Sequence, residues 1–209
     1  YKGLDIGSGK DLDEYASGGS SVPYHLIDIT DLKSEYSVFQ YQKDFYRVFP
    51  DIVARKKLPV VVGGTGMYLD SIIRNYDLIE VPENEKRRAE LEAKPLEELS
   101  RLLLSLKPDL HTREYLRDKV RCIRAIEIAE YRMHPEADIM RKTMTSRPDI
   151  RPLVIGTTLS REELRERIAK RLKSRLDSGM IEEVENLHRG GASWERLETL
   201  GLEYGFVAE

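Results

Sequence analysis

Cysteine, tryptophan and histidine are scarce: the 209 residues hold one Cys, one Trp and four His. The lone thiol, Cys122, excludes an internal disulfide framework and a cysteine-rich zinc site. A reducing, cytoplasmic setting is the natural expectation. His25, His111, His134 and His188 lack metal-ligand spacing, so no protein-built metal centre is expected. No Ser/His/Asp arrangement can be argued from their positions. No apolar run approaches the roughly 18 residues of a membrane-spanning helix, and no secretory apolar region opens the chain. Internal repeats and low-complexity stretches are absent. Nor is there an overall excess of positive charge: the formal net charge is −3, which excludes a uniformly basic nucleic-acid binder.

What is present is the composition of a globular domain, 40% apolar and 34% charged. The length suits one domain, alone or with an inserted lobe. The charge is uneven. Residues 1–85 hold 9 Lys/Arg against 14 Asp/Glu, residues 86–151 hold 16 against 12, and residues 152–209 hold 9 against 11. The middle third is a basic island in an acidic chain. It is either a phosphate-binding face or a set of solvated helical surfaces. The first residue is Tyr1 rather than Met, so the stretch is expected to start inside a longer or processed polypeptide.

Periodicity predicts the elements. Residues 25–29 (HLIDI) read as a short strand. Phe39, Phe45, Val48 and Ile52 recur at helical intervals, predicting a helix over 37–55 with Ser37 as its N-cap. Leu58 to Val62 (LPVVV) is a β-branched run closed by Gly63-Gly64-Thr65-Gly66, with a helix expected from Met67 to about Arg74. An apolar strand feeding a glycine turn and a helix predicts an α/β unit with a parallel, two-sided sheet. Residues 83–143 carry only helical patterns, over 88–106, 112–131 and 136–145, punctuated by Pro108 and Pro135. Sheet character returns at 153–159 (LVIGTTL). Ser160 and Glu163 read as a capping box, and Leu164, Ile168, Leu172 and Leu176 as the core stripe of the helix that follows. Ser178-Gly179 breaks that helix, and another runs from Met180 to about His188, stopping at Gly190-Gly191.

Three segments could carry chemistry. In VVVGGTGMY (60–68), Gly63 and Gly64 would let a ligand approach the backbone, a helix N-terminus would follow, and Thr65 adds a hydroxyl. The same residues also suit a tight strand-to-helix turn with no ligand. In LDIGSGK (4–10), Asp5 could act as acid, base or acceptor, and Ser8 and Lys10 could meet an anion; a surface turn would read the same. The spacing is not that of a Walker A loop. Arg113, Arg117, Lys119, Arg121 and Arg124 are predicted on one helix, with Arg117, Arg121 and Arg124 sharing a face. That face could follow a sugar–phosphate backbone or pair internally with Glu114, Asp118 and Glu127.

Taken in order, several segments resemble the tRNA dimethylallyltransferase (IPP transferase) family. YKGLDIGSGK (1–10) is similar to its Y-[KR]-G-[ML]-D-I-G-T-A-K segment, and PYHLIDI (23–29) to its P-H-x-L-[IL]-D. Tyr36-Ser37-Val38 resembles its Y-S-V/A helix start, and GGTGMY (63–68) its G-G-T-G-L-Y. DKVRCIRAIE (118–127) is similar to its N-x-x-R-[VL]-x-R-A-L-E helix, and residues 160–179 to its R-x-x-L-x-x-R-I-x-x-R-x-x-x-M-x-x-x-G pattern. The family's phosphate loop and its proposed aspartate base would lie upstream of Tyr1, and its C-terminal basic helix beyond Glu209. Near residue 200 the family's V-G-Y-R-[EQ] reads L-G-L-E-Y.

The resemblance implies a fold: an α/β, P-loop NTPase-like parallel-sheet core (1–82 and 150–209) with an inserted all-helical, tRNA-binding lobe (83–149). It implies transfer of a dimethylallyl group from dimethylallyl diphosphate to N6 of the adenine beside the anticodon of tRNA, with Mg²⁺ assisting the diphosphate and no membrane or protein partner. A nucleotide-binding, ATP-binding character goes with that fold. The resemblance makes Thr65 a catalytic candidate. It makes Asp5, Lys10, Gly63, Gly64, Tyr68, Arg87, Lys119, Arg121 and Arg124 candidates for binding substrate or tRNA. An adenylate isopentenyltransferase, a nucleotide kinase-like protein and an inactive RNA-binding fragment are the alternatives.

Overall fold

Helices carry this fold. The computed structural model describes residues 1–17, 19–64, 66–110, 113–137 and 147–209, which form two compact units, 1–73 with 148–209 and 74–147.

The expected parallel sheet is not found among the described residues. Among the described residues the only sheet is an antiparallel pair of two-residue strands, β1 (Ala16–Ser17) and β2 (Ser20–Ser21). Residues 58–62 and 153–159 form neither helix nor strand, and Leu58 and Leu153 are each 85% exposed. Their β-branched composition favours extended backbone. A strand also needs neighbours for its N–H and C=O groups and cover for both faces, and the described residues offer these runs neither. The strand expected at 25–29 fails for a local reason: Leu26 and Asp28 sit at φ 61° and 55°, the left-handed region, which breaks an extended run.

In the first unit, α1 (Val38–Ala54) starts at a true capping box: Ser37 accepts from the Gln40 amide and the Gln40 side chain accepts from the Ser37 amide. Phe45 and Tyr46 of α1 bury against Ile72 of α2 (Gly66–Ile73), with Leu26, Tyr41, Phe49 and Ile150 around them. The Gln42 amide donates to the Ser71 carbonyl at 2.9 Å, tying the two helices.

A second core joins Leu4 to Val184, Leu197 and Tyr204. These come from α7 (Met180–Arg189), α8 (Trp194–Glu198) and α9 (Leu202–Ala208), the last two not foreseen. Before them, α6 (Arg161–Asp177) is capped by Ser160, which accepts from the Glu163 amide without a reciprocal bond. Its expected core stripe is exposed: Leu164, Ile168, Leu172 and Leu176 all face outward among the described residues, and the helix buries no apolar side chain. Spacing defines a face; only a partner element makes it core.

In the second unit, the helix expected over 88–106 is two helices, α3 (Glu85–Glu92) and α4 (Leu96–Leu106). Pro95 separates them, because proline at an interior position loses a hydrogen bond and clashes with the preceding turn. The helix expected over 112–131 starts late. Arg113–Leu116 form a 3₁₀ turn, and α5 (Lys119–Arg132) begins after Asp118, whose side chain accepts from the Arg121 amide. The helix expected at 136–145 lies almost wholly outside the described residues. Leu91, Leu99, Leu103, Cys122, Ile123 and Ile126 form the core between α3, α4 and α5. Each buried Leu or Ile there contributes roughly 1.5–3 kcal/mol. Burial pushes the Cys122 thiol up, so it behaves as a small core residue. Ile79 and Val81 pack with Ala137, Ile128 and Tyr131 in a second cluster.

Candidate functional site

The glycine turn opens α2. Thr65 lies outside the described residues. A Cβ built on Gly63, Gly64 or Gly66 would meet nothing within 4 Å. Packing within the described residues therefore does not demand glycine there, and the turn is open to a ligand. Tyr68, in the first turn of α2, is committed inward: its hydroxyl donates to the Tyr36 carbonyl at 2.9 Å and its ring stacks on Tyr41 at 4.9 Å. The Tyr36 hydroxyl donates to Asp44 at 2.9 Å. Burial, then Asp44, push the Tyr36 phenol well above its ordinary range, and burial raises Tyr41 and Tyr68 too. All three stay neutral, and the Tyr36 and Tyr68 hydroxyls donate where α1 and α2 begin.

Lys10 sits between two carboxylates. Its ammonium donates to Asp5 at 2.7 Å and to Asp28. Burial works against the charge, yet the hydrogen bonds to Asp28 and Asp5 outweigh it and raise the Lys10 pKa. Asp28 was not singled out in the sequence; its signal was the aspartate ending the P-H-x-L-[IL]-D segment. No group of three or more His, Cys, Asp or Glu side chains that could hold a metal occurs among the described residues. Asp5 and Asp28 do converge, but on an ammonium placed where a cation would go. The described residues therefore do not fit a Mg²⁺ site.

In the second unit most candidate cations are spent internally. Arg87 forms a bidentate pair with Glu130 at 3.0 and 2.5 Å and reaches Glu90 at 3.0 Å. Arg88 pairs with Glu127 and with Glu83 at 3.1 Å. Arg124 donates to Glu127 at 3.1 Å and to the Val81 carbonyl at 3.0 Å. The Glu127 side chain is only 4% exposed. Burial opposes its charge, but the two guanidiniums prevail and hold its carboxyl below the usual range. Lys119 donates to the Glu92 carbonyl at 2.7 Å. Arg121 differs: its side chain is 63% exposed, with Asp118 at a loose 3.8 Å. Arg113 and Arg117 are also exposed, but they precede α5 instead of sharing its face. The outward positive charge thus gathers at the entry to α5.

The IPP transferase family model matches residues 1–207. The tRNA dimethylallyltransferase 2 of Treponema denticola is 54% identical over 100% of this chain and 68% of its own length. The tRNA dimethylallyltransferase 1 of Syntrophus aciditrophicus is 48% identical over 99% of this chain and 67% of its own. The chain therefore spans about two thirds of these relatives. Among solved structures, the full-length tRNA isopentenylpyrophosphate transferase of Bacillus halodurans matches with a TM-score of 0.57 and 28% identity, over 100% of this chain and 70% of that one. The family pattern and these relatives cover nearly every residue, and on that basis the chain belongs to the IPP transferase family.

Proposed function

We propose that this protein transfers a dimethylallyl group from dimethylallyl diphosphate to N6 of the adenine beside the anticodon in tRNA. The observation that carries the reading is the family match over residues 1–207, joined by relatives named tRNA dimethylallyltransferase at 54% and 48% identity. In the reaction the N6 lone pair attacks C1 of the prenyl group, the C1–O bond breaks, diphosphate leaves with the electron pair, and N6 gives up a proton. A poor amine nucleophile needs a carboxylate base beside it, and the base must leave its stack to reach the site.

In this reading Thr65 hydrogen-bonds the reacting nucleotide beside the open Gly63-Gly64 turn, and Asp5 and Lys10 line the same cavity. Residues 83–149 form the tRNA-facing lobe, where Arg121 meets backbone phosphates directly and Arg87, Lys119 and Arg124 brace that face. Tyr68 braces the glycine turn. Mg²⁺ typically binds through substrate phosphates with few protein ligands, so in this reading it would be held by the diphosphate. In this reading the protein acts on tRNA in the cytoplasm. No helix among the described residues is long and apolar enough to cross a membrane.

The test supplies the purified protein with labelled dimethylallyl diphosphate and, separately, unmodified tRNA and AMP, and with γ-labelled ATP in a parallel reaction. Label entering tRNA is the expected result. Label entering AMP alone would identify an adenylate isopentenyltransferase. Phosphate transfer from ATP without prenylation would identify a kinase-like protein, and tRNA binding without transfer an RNA-binding fragment.

A further inference from the structure

The loop at residues 4–10 is held by side chains far away in sequence. One carboxylate, Glu183 on α7, takes four hydrogen bonds. Its Oε2 accepts from the backbone N–H of Asp5 at 3.2 Å and of Ile6 at 2.8 Å; its Oε1 accepts from the N–H of Gly7 at 3.3 Å and from the Tyr204 hydroxyl at 2.6 Å. Three successive N–H groups turned to one point make an anion-binding concavity, and here the protein fills it with its own carboxylate. The Gly7 peptide is gripped from the other side as well. Arg175, nine-tenths buried, donates to the Gly7 carbonyl at 3.1 Å and to Glu203 at 2.9 Å. A Cβ on Gly7 would come within 2.6 Å of the Tyr204 ring, so the loop lies flat on that buried tyrosine.

We propose that Glu183 is a positioning residue for prenyl transfer: by fixing the peptides of residues 5–7 it sets where Asp5 and Lys10 stand. The proposal rests on the reading above, in which Asp5 and Lys10 line the substrate cavity. Asp5 carries one of the three anchored N–H groups itself, and Lys10 follows the last of them by three residues and pairs back to Asp5. The chemistry of the contact is specific to a carboxylate. Four donors need acceptor sites on both oxygens, and an ionised glutamate is acceptor-only. Glutamine has the same shape but one acceptor oxygen, and its NH₂ would face an N–H or a hydroxyl. Glu183→Gln therefore removes the anchor while keeping the volume.

Two measurements test this. In wild-type protein, the backbone amides of Asp5, Ile6 and Gly7 should be protected together from hydrogen exchange, and Glu183→Gln should remove that protection. In steady-state prenylation, with rates expressed per folded protein as measured by circular dichroism, E183Q should lower kcat at least tenfold while the KM for tRNA stays within twofold. Three amides that exchange as fast as solvent-exposed ones in the wild type would overturn the proposal. So would E183Q turning over within twofold of wild type once that protection is gone. If E183Q does not fold, Tyr204→Phe keeps the ring on Gly7 and removes one donor. A kcat reduced about threefold then supports the proposal, and an unchanged kcat overturns it. If wild-type protein prenylates no tRNA, the reading of the reaction falls, while the exchange protection still decides whether Glu183 anchors the loop.

Discussion

Arg88 donates two hydrogen bonds to Glu127, at 3.1 and 2.9 Å, across 39 residues of chain. With Arg124 on the same carboxylate, this is a charged triad inside the wall between α3 and α5.

Removing its centre leaves two guanidiniums without their shared partner. Breaking a buried ion pair costs about 3–5 kcal/mol. The Arg88 and Arg124 side chains are themselves partly solvated, so the lower end, about 3 kcal/mol, is expected for Glu127→Ala. Urea unfolding of the variant beside the wild type measures it. An unchanged midpoint would show that the triad contributes nothing net.

The same triad carries a pH dependence of definite sign. The Glu127 pKa is lowered in the folded protein from an ordinary 4.5. Its contribution is therefore fully present above pH 4.5 and is lost as pH falls through the folded value. The stability gap between wild type and Glu127→Gln should stay constant from pH 7 down to about 5 and narrow below that. A gap that widens on acidification would contradict the assignment.

Arg121 and Arg124 are three residues apart yet differently employed, so their substitutions should separate. Arg121→Ala should weaken tRNA binding and reduce the slope of log affinity against log salt by about 1. Arg124→Ala should cost stability through Glu127 and Val81 and leave the slope unaltered. Salt titrations of tRNA binding with both variants, and with the double variant, read this directly. If the double variant kept the wild-type slope, α5 would not be a phosphate-binding element.

Two glycines make a similar contrast. Gly7→Ala puts a methyl group against the Tyr204 ring, and overpacking of that kind costs about 1–3 kcal/mol. Gly63→Ala meets nothing within 4 Å, so its melting temperature should match the wild type while its KM for dimethylallyl diphosphate or tRNA rises. A destabilised Gly63→Ala with normal substrate constants would mean that the turn is glycine for folding alone.

Local chemistry was legible in the chain. Ser37, Ser160 and the Gly190-Gly191 stop were readable because caps and breakers act within four residues. Pro95 was equally local and should have divided the helix expected over 88–106. The apolar runs at 58–62 and 153–159 show where local reading ends, because a strand is a relation between segments and composition records only one of them. The stripe on α6 carries the same lesson for a helix. In the candidate site, the arginines were visible but not their employment. Whether Arg87 and Arg88 face RNA or Glu130 and Glu127 depends on how α3 lies against α5. Glu183 gave no signal at all, since the peptides it holds are more than 170 residues away in the chain.

That long reach bears on the order in which the chain acquires structure. Residues 74–147 are contiguous and supply their own core, so they can consolidate as soon as they leave the ribosome. Residues 4–10 wait for Arg175, Glu183 and Tyr204. At ordinary translation speeds, 170 residues take roughly 10–30 s to make. The backbone donors of Asp5, Ile6 and Gly7 are bound by water for that interval. The loop at residues 4–10 is thus made long before the side chains that fix it. Changes at Glu183 should accordingly slow refolding of the discontinuous unit more than that of the contiguous one.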